Sequence, residues 1–196
     1  MFKSDRAHIE SNSPTENRSV ATDQTQVRGG ERTESSTPKP ASPLSVEQAA
    51  YQDIPAICAL YKKVWEMAPP GVPTELVKSW QPTALEFTSW MGGVTYFAAR
   101  KDGRLVGVVG CELQHRTCKM VHLAVDPDAR RQGVATALVT TVAEWAKKEN
   151  ATSIWVDSLH GLAPATALFQ HLGFALAGVL HQHEWGEDVN MFERLL

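Results

Sequence analysis

Residues 121–135, Val-His-Leu-Ala-Val-Asp-Pro-Asp-Ala-Arg-Arg-Gln-Gly-Val-Ala, constrain the fold most, because a strand, a basic turn and a helix follow one another there without a break. Val121, Leu123 and Val125 alternate with His122, Ala124 and Asp126, which is the period-two pattern of a strand. Pro127 ends it. Beyond the turn Arg130-Arg131-Gln132-Gly133, the apolar residues Val134, Leu138, Val142 and Trp145 recur at helical spacing. The first N–H groups of such a helix have no intrahelical acceptor, and the helix dipole adds partial positive charge at the same point, so the turn is an anion site. Gly133 lets a ligand approach the main chain closely.

The six residues 130–135 fit the pattern Arg/Gln-x-x-Gly-x-Gly/Ala. They are flanked, in order, by the strand just described, a strand at 154–158, the segment Leu168-Phe169-Gln170-His171-Leu172-Gly173-Phe174 and the ending Val189-Asn190-Met191-Phe192. On these motifs residues 44–196 resemble the GNAT superfamily of acyl-CoA-dependent N-acetyltransferases. The resemblance implies a turn that wraps the pyrophosphate of coenzyme A and a preceding strand whose backbone pairs with the pantetheine arm. It assigns the main chain of Leu123, Ala124 and Val125 to pantetheine and acetyl. It assigns Arg130, Arg131, Gln132, Gly133, Val134, Ala135 and Thr136 to the pyrophosphate, and places Phe169 against the cofactor. It further implies that strands 119–125 and 154–158 splay, leaving main-chain groups free for the thioester.

The expected element order is β-α-α-β-β-β-α-β-α-β-β, an α/β (α+β) mixed sheet with helices on both faces and a GNAT-like acyl-CoA N-acyltransferase fold. A short strand at 44–48 precedes a helix capped by Asp53 and running to Trp65, and the Pro-rich segment 67–73 breaks it. A second helical stretch, interrupted by Pro82, covers 74–91. Strands 94–100 and 104–113 meet across Asp102-Gly103, a strong hairpin signal. Strand 119–125, the helix to Lys148, strand 154–158, a helix at 163–172 and strands 174–184 and 188–195 follow. Pro164 in its first turn and Gly173 just past its end bracket the helix at 163–172.

Composition narrows the functional classes. The 196 residues are 43% hydrophobic, enough for one medium domain with a real core. A formal net charge of -3, with Lys and Arg scattered apart from Arg130-Arg131, gives no reason to expect nucleic acid or an anionic membrane as partner. Three cysteines without a Cys-x-x-Cys pair suit a reducing compartment, and no secretory signal or bilayer-length apolar run is seen, so a cytoplasmic location is expected. Residues 1–43 mix six basic with six acidic side chains and few aliphatic ones, the composition of a disordered extension.

Acyl transfer to an amine needs a base, because a primary amine of pKa ~10 is mostly protonated at neutral pH. Asp157 falls where the ribosomal-protein alanine acetyltransferase branch carries a strand-end Glu that serves as base. An Asp starts at pKa ~3.9, so it works well only if burial or like charge raises it. Glu112 and His122 are the reserves. Lys119 stands where another branch has its catalytic Glu, which argues against that branch's arrangement. Phe169 stands where many members carry a Tyr that protonates the departing thiolate, and phenylalanine has no proton to give; Ser158, a water or a late-strand residue would have to substitute. Leu162 replaces the family's helix-starting Asn, removing a pantetheine contact. The segments Trp65-Glu66-Met67 and His181-Gln182-His183-Glu184 lie in regions that line the acceptor pocket in relatives. His181 and His183 share a face at i and i+2, but no third ligand stands at convincing spacing, so no metal is expected.

The resulting expectation is an N-acetyltransferase that moves an acetyl group from acetyl-CoA, its co-substrate, directly to an amine-bearing acceptor in a ternary complex, with a homodimer left open. The alternative is a non-catalytic acyl-CoA-binding sensor or partner-docking module, which Phe169 keeps open.

Overall fold

The computed structural model describes residues 43–196. The extension read at 1–43 lies, but for Pro43, outside the described residues.

Seven strands form one sheet in the order β1-β2-β3-β4-β5-β7-β6. They are β1 (Ser45–Gln48), β2 (Thr95–Lys101), β3 (Arg104–Gln114), β4 (Thr117–Val125), β5 (Ser153–Leu159), β6 (Ala175–Glu184) and β7 (Glu187–Leu195). Helix α1 (Ile54–Trp65), the short helices α2 (Thr74–Ser79) and α3 (Ala84–Trp90), α4 (Val134–Lys148) and α5 (Ala163–His171) complete the chain order. The mixed α/β architecture is the one expected. It differs in one element: the stretch 74–91 is two helices. Pro82 offers no N–H, and Thr83 starts a new helix by accepting from the Glu86 amide, while the Glu86 carboxylate accepts from the Thr83 amide in return.

Each face of the sheet buries its own core. Phe97, Val109, Cys118, Met120 and Ile154 pack beneath α4 together with Phe169 of α5. Tyr96, Ala98, Val108 and Ala124 pack on the other face with Ile57, Leu60 and Tyr61 of α1 and Phe87 of α3. Gly107 of β3 lies under the first turn of α4, where a Cβ would come within 2.7 Å of Val134 Cγ1, so α4 sits lower on the sheet than any side chain there would allow.

Two local expectations change. Asp53 does not cap α1; its carboxylate accepts from the Ala50 amide (3.0 Å) and from the Arg100 guanidinium, which links β1's end to β2. Around His181 the strand alternation fails, because β6 is bulged between Leu180 and Glu184 and Gln182 is left-handed (φ 49°). The Asp188 carboxylate there accepts from the Gln182 amide and bonds His181 Nδ1. The Asp102-Gly103 hairpin forms as expected, with positive φ at both residues (51° and 75°).

Candidate functional site

β4 and β5 are parallel neighbours for only three residue pairs, Thr117 with Ser153, Cys118 with Ile154 and Lys119 with Trp155. Beyond them β5 continues paired to β7 alone and β4 to β3 alone, so the two strands part and the facing main-chain groups of residues 120–125 have no strand partner on that side. Unpaired backbone of this kind is costly in a closed core, and it marks a cleft open to a ligand.

Within the cleft β4 carries a bulge. Val108 pairs with Ala124 and Gly110 with Val121, so β4 holds one residue more than β3 between these pairs, and His122 takes a left-handed backbone (φ 55°). The bulge changes which face each side chain occupies. Val121 packs toward Gly110 and Tyr96, on the α1 side, whereas Leu123 and Val125 pack beneath α4. The simple alternation read across 121–125 therefore does not hold.

A left-handed non-glycine residue costs about 1–3 kcal/mol and persists only where its surroundings fix it. Three aromatic side chains do so. The Tyr61 hydroxyl donates to the His122 carbonyl (2.6 Å), the Tyr96 hydroxyl bonds His122 Nδ1 (2.7 Å), and Trp90 stacks on the imidazole with centroids 4.5 Å apart. His122 keeps an exposed edge, yet the crowd of protein around the ring, then the Lys119 charge, push its pKa down to about 4. At neutral pH the imidazole carries no charge.

Asp157 shares this side of the sheet. Ile154 and Val156 face the α4 core, so Trp155 and Asp157 face away from it. The Lys119 ammonium lies 3.6 Å from Asp157 Oδ1 and 4.7 Å from the centre of the Trp155 ring. Glu184 adds a further carboxyl to the neighbourhood: burial first, then the Asp157 charge, raise it above the usual glutamate range. Glu112, by contrast, sits across from Lys119 in the β3–β4 ladder and accepts from the Gln114 side-chain amide (3.0 Å). Ser158 falls on the opposite face of β5 from Asp157 by strand alternation. Phe169 is 4% exposed and packs against Phe174 and Phe192, within the core under the sheet.

The turn at 130–133 follows the C-terminal end of β4. Gly133 is left-handed (φ 80°) and exposed, and a Cβ built on it meets no atom within 4 Å. Among the described residues the N–H groups of Val134, Ala135 and Thr136, at the start of α4, meet no acceptor. Arg130 and Arg131 are exposed beside them. Gln132 braces the turn, accepting from Lys101 Nζ (2.6 Å) and donating to the Asp128 carbonyl (2.9 Å).

A support absent from the sequence reading lies beneath this turn. Buried Asp126 accepts from the Asp128 amide (2.9 Å) and from Lys63 Nζ (2.6 Å), and Lys63 also donates to Asp128 (2.7 Å). Burial alone would push the Asp126 carboxyl up, but these bonds outweigh it and hold it below the usual aspartate range. The run Asp-Pro-Asp carries the signal of the Asx turn. Nothing local to residue 126 points to Lys63.

A smaller cavity of about 190 Å³ lies beyond the end of β5, lined by Pro69, Pro70, Val72, Leu159, Leu162 and Glu187. The larger hollow of about 520 Å³ lies along β6 and β7, against Gly173, Ala175 and Arg194, away from the cleft. The cleft is an open gap in the sheet, so volume does not mark it.

Comparison with known proteins gives this geometry a family. A model described as Acetyltransferase (GNAT) family matches residues 56–174. The chain belongs to that family. N-acetyltransferase 8B of Homo sapiens is 28% identical over 148 residues, which is 70% of this chain and 62% of that protein. The [ribosomal protein bS18]-alanine N-acetyltransferase of Escherichia coli (strain K12) is 27% identical over 78 residues, 40% of this chain and 53% of that protein. The chain thus spans less than two thirds of these relatives. Among solved structures, the ribosomal-protein-S18-alanine N-acetyltransferase from Escherichia coli has a TM-score of 0.64 at 20% identity, covering 78% of this chain and 94% of that one. The PaiA N-acetyltransferase from Thermoplasma acidophilum, in complex with coenzyme A, has a TM-score of 0.67 at 12% identity, covering 79% of this chain and all of that one. At such identities the likeness is one of fold, and it confirms the fold expected for this GNAT member. No helix among the described residues is long and apolar enough to cross a membrane.

Proposed function

We propose that residues 44–196 form an N-acetyltransferase domain that moves an acetyl group from acetyl-CoA directly to a primary amine of a small molecule or peptide. The observation that carries the reading is the continuity of the gap between β4 and β5 with the free amides at the start of α4. The residues present suit the co-substrate. Val134, Ala135 and Thr136 offer three N–H groups at a helix start, Gly133 leaves the space a diphosphate needs, and Arg130 and Arg131 add charged donors. The main chain of Leu123, Ala124 and Val125 supplies the edge to which a pantetheine amide would bond. When bound, acetyl-CoA supplies an acyl group activated as a thioester.

In this reading Asp157, directly or through water, takes a proton from the incoming ammonium, since only the neutral amine has a lone pair with which to attack. A β4 N–H meets the charge that develops on the carbonyl oxygen. As the C–N bond forms and the C–S bond breaks, the second nitrogen proton leaves with the thiolate. A thiol of pKa ~8.5 departs without a strong acid. Phe169, closed into the core, supplies none. The three described cysteines are free and two are buried, which fits a reducing, cytoplasmic setting.

The test has two arms, calorimetry with acetyl-CoA and release of coenzyme A thiol against a panel of polyamines, amino acids, aminoglycosides and peptide amino termini. Heat of binding and turnover on at least one amine are expected. No heat with CoA or its acyl forms would overturn the reading, and binding without turnover on any amine would favour an acyl-CoA sensor.

A further inference from the structure

The imidazole of His122 has two nitrogens, and the one bonded to Tyr96 determines what the other can do. Tyr96 is 1% exposed, and its hydroxyl has one hydrogen-bond partner among the described residues, His122 Nδ1 at 2.7 Å. Burial, together with the Glu112 charge, pushes this phenol above its ordinary range, so the oxygen keeps its proton. A buried O–H with one acceptor in reach donates to it, because an unmade bond would cost about 1–3 kcal/mol. Nδ1 is then the acceptor. On a neutral ring the proton sits on Nε2.

The remaining surroundings leave that N–H for a ligand. Trp90 covers one face of the ring, Tyr61 ties down the main-chain carbonyl, and the residue keeps an exposed edge. The bulge turns His122 onto the α1 and α3 side of β4, the side that also carries Lys119 and Asp157. The charged groups acting on the ring from the adjoining elements are Lys119 of β4 itself and Asp157 of β5.

We propose that His122 is held by Tyr96 as the Nε2-protonated neutral tautomer and donates a hydrogen bond to an oxygen of the acceptor, so that the preferred acceptors are amines with a carbonyl oxygen beside the amino carbon. His122 is then a specificity-determining residue and no base, because its only free nitrogen already carries the proton. Tyr96 is the positioning residue. A neutral imidazole is suited to this work, since it polarises an oxygen without giving up a proton. A free amino acid and a peptide amino terminus both present such an oxygen. The inference rests on the acetyl-transfer reading for its substrate and stands apart from it for the tautomer.

The tautomer is read from long-range proton–nitrogen correlation spectra of protein carrying isotope-labelled histidine. At pH 7 the His122 signals should report a protonated Nε2 and a bare Nδ1, and Tyr96→Phe should shift the ring toward the mixture of tautomers found in solution. A protonated Nδ1 in the wild type would overturn the proposal. The acceptor preference is read from kcat/KM for leucinamide against isoamylamine, which has the same skeleton without the carboxamide. His122→Phe, which keeps the stack on Trp90, should lower that ratio by about 2- to 13-fold, the worth of one neutral hydrogen bond. His122→Gln, which restores a donor, should recover part of it. An equal ratio in wild type and His122→Phe would overturn the preference, and free leucine against a peptide beginning with leucine separates the two sources of the oxygen. Failure of every amine to turn over would sink the acetyl-transfer reading instead, with the spectra still deciding the tautomer.

Discussion

Gly133 allows the anion turn to be tested apart from the stability of the fold. An alanine there must keep the left-handed backbone (φ 80°), which costs an L-residue about 1–2 kcal/mol. The new methyl meets no atom of the protein within 4 Å, so no clash is added to that strain. For a domain of this size the melting temperature should fall by about 2–8 °C. If a diphosphate lies against the amides of 134–136, the methyl intrudes on it and loosens one charge-assisted hydrogen bond, worth about 1.5–3 kcal/mol. Acetyl-CoA affinity should then weaken about 10- to 150-fold. Gly103 provides the control. It too is left-handed (φ 75°) with open space around its Cβ, but it sits at the tip of the β2–β3 hairpin. Gly103→Ala should cost the same stability and leave acetyl-CoA affinity where it was. Melting curves and calorimetry on the two variants decide the matter. Equal losses of stability with wild-type affinity in both would refute the argument that the turn at Gly133 holds the diphosphate.

Other perturbations follow from the same geometry. Asp157→Asn should lower kcat by about 10²–10⁴-fold while acetyl-CoA affinity stays unchanged by calorimetry; an unaltered rate removes Asp157 from the mechanism. Tyr61→Phe strips the His122 carbonyl of its donor, which should cost about 1–3 kcal/mol and about 2–12 °C in melting temperature, and should lower kcat; an intact rate would detach the bulge from catalysis. Lys63→Met removes the ammonium that Asp126 and Asp128 share. Because Asp126 titrates below its ordinary value in the fold, its stabilising contribution is present above about pH 4 and is lost as acid protonates it. The gap in melting temperature between wild type and Lys63→Met should therefore narrow from pH 7 to pH 3. A gap that widens in acid would contradict that assignment.

The parts legible in the sequence were those that local periodicity and turn chemistry determine. Strand, turn and helix across 121–135 could be read because each pattern lies within a few residues of the next, and Asp102-Gly103 because two positive φ angles in a row suit few other pairs. The bulge at His122 was not legible. Val121, Leu123 and Val125 are apolar whichever face they occupy, so alternation gives the same letters for a regular strand and for one that changes face midway. The supports of the site were hidden for a different reason. Tyr61 and Lys63 act on residues about sixty positions away, and only the packing of α1 against β4 brings them together. At Phe169 the letter alone gave the chemical deficit, and the structure adds that the ring is enclosed by Phe174 and Phe192.

These two supports also come from one helix. Tyr61 and Lys63 lie two positions apart near the end of α1; one fixes the bulge in β4, the other fixes the turn that follows the strand. Tyr61 reaches its carbonyl from the buried face of the helix, while Lys63 spans outward on its long stem to a carboxylate that is itself buried. One helix thus holds the chain at two nearby points, the bulge near the C-terminal end of β4 and Asp126 just beyond that end. β4 is stiffened at its bulge by a helix about sixty residues earlier in the chain. If acetyl-CoA lies along β4 as proposed, a site built mainly from backbone amides would depend on side chains that touch neither co-substrate nor acceptor.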